Sequence, residues 1–121
     1  MKKIAVVGLG NIAARHRRNL KSLFPTSELL AMSASGRVPA EKIGDCDYIA
    51  SSVKELIDTG VELVIVASPA PFHAENSIPL IKAGIPTLIE KPVTTSIEDA
   101  NAINRAIELY RTPVSVGYCL R

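Results

Sequence analysis

Lys91 stands between Glu90 and Pro92 at the end of an apolar run, Pro86-Thr87-Leu88-Ile89. An ammonium at a strand end can orient a substrate hydroxyl and ease the loss of its proton, which makes Lys91 the candidate catalytic residue. Adjacent strand residues point to opposite faces, so Glu90 and Lys91 are not expected to pair with each other, and one of them faces a ligand. Lys91–Pro92 is also a candidate cis bond in a sharp turn. A second chemical feature is Gly8-Leu9-Gly10-Asn11-Ile12-Ala13, directly after Ile4-Ala5-Val6-Val7. That order is strand, glycine turn, helix. Gly8 permits a tight turn, Gly10 leaves room for a pyrophosphate against the backbone, and Ala13 lets the helix pack closely on the strand. Asn11 and Ile12 open that helix, whose unpaired N–H groups and positive dipole end favour phosphate. A dinucleotide site is expected.

Cofactor choice belongs at the carboxyl end of the second strand. An acidic side chain there bonds the ribose 2′-hydroxyl of NAD, whereas an arginine accommodates the 2′-phosphate of NADP. Here the chain reads Ser33-Ala34-Ser35-Gly36-Arg37. No carboxylate is present, Ser35 offers a hydroxyl, Gly36 permits a close turn, and the planar fork of Arg37 suits a phosphate. NADP is therefore expected in preference, with NAD left open. Glu28 stands at the wrong end of the same strand and is set aside. Ser68-Pro69-Ala70-Pro71-Phe72-His73 follows the most strand-like run, Leu63-Val64-Ile65-Val66-Ala67, and its prolines hold it rigid beside the cofactor. Ser68, Pro69, His73 and Glu90 are candidate cofactor contacts. His73 could equally fix the loop to the start of its helix.

These groups need a scaffold that gathers strand ends. Apolar runs at 4–7, 28–33, 48–50, 63–67, 86–92 and 114–118 alternate with helical patterns. The expected fold is a doubly wound α/β (Rossmann) domain over residues 1–121, with a mainly parallel six-stranded sheet and right-handed crossovers. Ile12, His16, Leu20, Leu23 and Phe24 form a helical stripe ended by Pro25. It makes His16 a packed core residue and puts Arg15, Arg17, Arg18 and Lys21 on solvated faces. Ser52 with Glu55 has the form of a capping box, and Gly60 ends that short helix. Pro79 should kink or shift a helix running from about 72 to 83. Ser96 caps the last helix, with Ile97, Ala100, Ile103, Ile107 and Tyr110 inward.

Hydrophobic residues make up 47% of the 121, but aromatics only 4%, so the core must be aliphatic. Val- and Ile-rich parallel strands suit that composition. A net charge of +2 is too small to point to nucleic acid or an anionic membrane. Cys46 and Cys119 lie far apart with no C-x-x-C and no histidine cluster, which fits a reduced, cytoplasmic chain rather than a disulfide or zinc framework. Asp45 and Asp47 flank Cys46, but without further ligands they make a poor metal site. The two lysines before the first apolar run mimic a signal peptide. Gly8 and Gly10 cut that run short, no cleavage pattern follows, and no run approaches membrane-spanning length.

Together, Gly8-x-Gly10-x-x-Ala13 with His16, Ser68-Pro69 followed by His73, Glu90-Lys91-Pro92, and Val116-Gly117-Tyr118 with Arg121 resemble the amino-terminal domain of the glucose-fructose oxidoreductase / inositol dehydrogenase (Gfo/Idh/MocA) family. Glu-Lys-Pro is the most specific element. The resemblance implies an oxidoreductase that transfers hydride between a nicotinamide cofactor and a hydroxyl carbon of a sugar, inositol or sugar-nucleotide. It places Lys91 beside nicotinamide and substrate, and gives the Gly8/Gly10 turn, the Ser68-Pro69 loop and Glu90 to the cofactor. This chain departs from the family in lacking the usual acid after strand two. It also stops at Arg121, where the family crosses into a second α/β domain that supplies the substrate pocket and a catalytic histidine. On that resemblance the chain binds cofactor but turns over little or nothing alone, and a homo-oligomer is left open. Two other classes stay in play. One is a non-enzymatic nucleotide-sensing or partner-binding module; the other is an adenosylmethionine or CoA binder, against which Glu90-Lys91-Pro92 argues.

Overall fold

A computed structural model describes residues 1–117. Its elements run β1 (Lys3–Val7), α1 (Asn11–Leu23), β2 (Glu28–Met32), β3 (Tyr48–Ile49), α2 (Val53–Thr59), β4 (Leu63–Val66), α3 (His73–Lys82), β5 (Thr87–Glu90), α4 (Ile97–Tyr110) and β6 (Val114–Gly117). The strands form one sheet in the order β3-β2-β1-β4-β5-β6. Every pairing is parallel. Strand order reverses between β1 and β4, and ligands of such sheets bind outside the carboxyl ends at that point.

Alternation within each strand decides which helix it meets. Ala5, Val7, Leu30, Met32, Val64, Val66 and Ile89 join Leu56 of α2 and Leu80 of α3 in one core. Ile4, Val6, Leu29 and Ile65 face the other way, under Ala13 and Leu20 of α1. A third cluster sets Ile81 of α3 against Ile103 and Ala106 of α4. Each fully buried Leu or Ile contributes about 1.5–3 kcal/mol, so an aliphatic core of this extent holds the sheet without aromatic residues.

Several local expectations shift. On α1 the buried positions are Ala13, Arg17 and Leu20, while Leu23 is exposed and Ile12 partly so. Ala13 and Leu20 dock on Val6 and Ile65, and that brings Arg17 inward rather than onto a solvated face. Its Nε donates to the Gly44 carbonyl at 3.1 Å, and its Nη1 is buried with no hydrogen-bond partner among the described residues. His16 is not a core residue either; its ring is only partly buried and meets a carboxylate. On α4 the inward residues are Ile103 and Ala106, whereas Ile97 and Tyr110 are exposed. Helix α3 continues through Pro79. Strand β5 ends at Glu90 rather than reaching 92, and the Lys91–Pro92 bond is cis. Ser52 accepts from the Glu55 N–H as a cap should, but the Glu55 carboxylate returns to the Ser51 N–H, one residue earlier than a capping box requires. Tyr118, Cys119 and Arg121 lie outside the described residues.

Candidate functional site

Four of the loops that leave the carboxyl edge of the sheet carry sequence-expected residues. The first is the glycine turn. Gly8 has φ +113°, and a Cβ there would lie 2.6 Å from the Ala67 carbonyl oxygen, so both chain reversal and the approach to β4 require glycine. Gly10 differs: beyond its chain neighbours, a Cβ there would meet no atom of the described residues within 4 Å. Its small size leaves open space beside the start of α1 and is not demanded by packing. Gly10 is the N-cap of α1, no side chain caps it, and the first turn holds no acidic residue. The N–H groups of Asn11 and Ile12 therefore have no intrahelical partner, as at the start of any helix, and such a terminus favours an anion. Ala13 is fully buried against the sheet.

The second loop follows β2. The Ser33 hydroxyl donates to the Arg37 carbonyl at 2.8 Å, closing the turn. At Gly36, φ is +87°, and a Cβ would collide with the Ser51 carbonyl. Ser33, Ser35 and Arg37 line a cavity of about 520 Å³ together with Leu9 of the glycine turn and Glu41. Ser35 and Arg37 thus share a cavity with the first loop. Glu41 comes from the stretch between β2 and β3. By contrast, Glu28 sits at the far end of β2, exposed and 3.9 Å from the Lys3 ammonium.

The third and fourth loops are tied together. Ser68 is buried, and its hydroxyl donates to Asn76 Oδ1 at 2.7 Å. Asn76 Nδ2 then donates to the Ala34 carbonyl at 3.1 Å, joining the loop after β4 to the loop after β2. His73 is 1% exposed; its Nε2 lies 2.6 Å from the Ser68 carbonyl and its Nδ1 2.9 Å from the Val93 carbonyl. Carbonyls only accept, so neutral imidazole donates to one of them and imidazolium to both. Both ring nitrogens are thus engaged by the protein, and His73 joins the loop after β4 to the turn after β5. Ser68 likewise offers a ligand little of its side chain, while Pro69 follows it at the start of a short 3-10 turn, Ala70–Phe72. Asn76 carried no sequence signal, because nothing in a helical window marks one asparagine as reaching two loops.

Glu90 and Lys91 close the site. Glu90 is buried at the end of β5, and its Oε2 lies 3.2 Å from His16 Nε2 of α1. Gly117 of β6 makes room for it, since a Cβ there would sit 3.2 Å from Glu90 Oε1. Lys91 is exposed, and its backbone N–H donates to the Gly117 carbonyl at 3.1 Å. Glu90 thus faces the α1 side of the sheet, and Lys91 follows where the strand gives way to the turn. Among the described residues no group of His, Cys, Asp and Glu is placed to hold a metal ion. No helix there is long and apolar enough to cross a membrane.

Comparison with known proteins agrees with this geometry. The model of the Gfo/Idh/MocA proteins, an oxidoreductase family with an NAD-binding Rossmann fold, matches residues 2–118. Myo-inositol dehydrogenase Hyg17 of Streptomyces leeuwenhoekii is 31% identical over 118 residues, covering 95% of this chain and 36% of the relative. The scyllo-inositol 2-dehydrogenase (NAD(+)) of Bacillus subtilis is 27% identical, covering 98% of this chain and 36% of its own length. Among solved structures, the WlbA dehydrogenase from Chromobacterium violaceum, in complex with NADH and UDP-GlcNAcA, superposes with a TM-score of 0.78 at 26% identity, over 96% of this chain and 34% of that one. The chain therefore spans about a third of the length of the relatives it matches. Matched across nearly its whole length, and with the family's glycine turn and Glu-Lys-Pro on one sheet edge, the chain belongs to the Gfo/Idh/MocA oxidoreductase family and carries its NAD-binding Rossmann fold.

Proposed function

We propose that residues 1–121 are the dinucleotide-binding domain of a dehydrogenase that moves hydride between a nicotinamide cofactor and a hydroxyl-bearing carbon of an inositol, sugar or sugar-nucleotide. Gly10 is the observation that carries this: space the protein itself does not fill lies against the uncapped start of α1, on the sheet edge that also holds Lys91. Bound there, the nicotinamide supplies or accepts the hydride. Gly8 and Gly10 set the backbone for the pyrophosphate, and the N–H groups of Asn11 and Ile12 bond it. Lys91 orients the substrate hydroxyl and favours loss of its proton as the hydride leaves the carbon. Glu90, held by His16, keeps the end of β5 in place beside it. The Ser68-Pro69 loop, braced by His73 and Asn76, forms the wall over the nicotinamide half. Ser35 and Arg37, with no carboxylate at the end of β2, favour NADP over NAD. The substrate's remaining contacts come from outside this chain, which works in the cytoplasm.

Calorimetric titration with NADPH and then NADH, at fixed salt, tests this proposal. Tighter NADPH binding that is lost in Arg37→Ala is expected. Tighter NADH binding overturns the NADP preference, and no binding of either overturns the nucleotide site.

A further inference from the structure

Glu41 lies in the same cavity as Arg37, and nothing in the sequence pattern points to it. It belongs to the loop between β2 and β3, is exposed, and neither its carboxylate nor the Arg37 guanidinium enters an ion pair among the described residues. Both charges therefore remain available to a ligand. Lys42, next in the chain, is not part of the cavity lining. Leu9 and Ser35 fix which part of a dinucleotide the cavity meets: the glycine turn holds the pyrophosphate, and the end of β2 reaches the adenosine ribose.

We infer that Glu41 is a second determinant of the cofactor's 2′-substituent, acting against Arg37, so that the chain accepts both dinucleotides and its NADP preference is narrowed. A carboxylate has acceptor sites only. It bonds a ribose hydroxyl well and repels a phosphate, the reverse of a guanidinium. Placing one of each in a single cavity brings its local charge near zero and leaves neither substituent strongly excluded. Specificity of this kind is a difference of two affinities, and it widens when the opposing charge is removed. A unit charge about 6–7 Å from a phosphate dianion, in a water-like dielectric, changes affinity roughly tenfold. The inference rests on the proposed nucleotide site.

The test is calorimetry at low salt on the whole chain and on Glu41→Gln and Arg37→Gln. The probes are NADPH, NADH, adenosine 2′,5′-bisphosphate and AMP; the last two read the adenosine half alone. Glu41 is exposed, so an unchanged circular dichroism spectrum is expected for its variant. Glu41→Gln should tighten NADPH and the bisphosphate by about three- to tenfold and weaken NADH, with the gain shrinking as salt rises. Equal ratios of NADPH to NADH affinity in wild type and Glu41→Gln overturn the inference. A shifted ratio in Glu41→Gln with no loss of NADPH affinity in Arg37→Gln supports Glu41 but overturns the role given to Arg37. Failure of the wild-type chain to bind any probe overturns the nucleotide site and this inference with it.

Discussion

Replacing Gly10 with valine should separate folding from binding. Gly10 is already in extended backbone, with φ −80° and ψ −170°, where a β-branched residue is at ease. Beyond its chain neighbours, a Cβ there would touch no atom of the described residues within 4 Å. Loss of glycine at an N-cap and the reduced freedom of the unfolded chain act in opposite directions, so stability should change by less than about 1 kcal/mol. Gly8→Ala is the contrast. Its φ of +113° and the 2.6 Å approach to the Ala67 oxygen force the backbone apart, which should cost at least about 2–3 kcal/mol. For binding the order reverses in meaning. Valine at 10 fills the space beside the start of α1 and removes about two charge-assisted hydrogen bonds to the pyrophosphate, each about 1.5–3 kcal/mol, or roughly a 10²–10⁴-fold loss of affinity. Thermal unfolding and calorimetric titration of both variants measure the two effects. A Gly10→Val chain that binds dinucleotide within about threefold of wild type would refute the site, because a side chain there would occupy the space the pyrophosphate needs against the helix start.

Lys91→Ala should leave dinucleotide affinity within about threefold of wild type, since its assigned partner is the substrate hydroxyl; a large loss seen by calorimetry would move Lys91 into the cofactor site. His73→Ala should lower the melting temperature by stranding the carbonyl, of Ser68 or Val93, to which the ring donates, at about 1–3 kcal/mol, and should loosen both loops in hydrogen exchange. Acid should destabilise the fold. The Lys21 ammonium and the Leu29 N–H hold the Asp47 carboxyl below its ordinary value, and the Tyr48 hydroxyl and Ser51 do the same for Glu55. Groups depressed on folding contribute above their unfolded pKa and lose that contribution as pH falls through the folded value. Melting temperature should therefore drop below about pH 4, less steeply in Asp47→Asn and less steeply in high salt.

What was legible in the chain and what was not divides along physical lines. Continuous β-branched runs can be satisfied only by strands covered on both sides, so the parallel sheet and its order of elements were readable at β1, β4 and β5. The glycine turn was readable because Gly8, Gly10 and Ala13 each answer a local constraint, and Ser52, Gly60 and Ser96 mark helix ends through bonds within a few residues. Helix rotation was not readable. The stripe through Ile12, His16 and Leu23 was one of two apolar alternatives, and docking against Val6 and Ile65 chose the other, burying Arg17 and freeing His16 to meet Glu90. Contacts between distant segments were equally hidden. Asn76 reaching Ala34, His73 reaching Val93, and Glu41 entering the Arg37 cavity depend on where β2, β4 and β5 end relative to one another. By itself the sequence determined the elements and the residues able to bind a dinucleotide, because those follow from local chain stiffness and periodicity. The tertiary structure alone decided which of those residues brace the loops and which line the cavity at the carboxyl edge, because only a paired sheet brings separate strand ends within hydrogen-bonding distance.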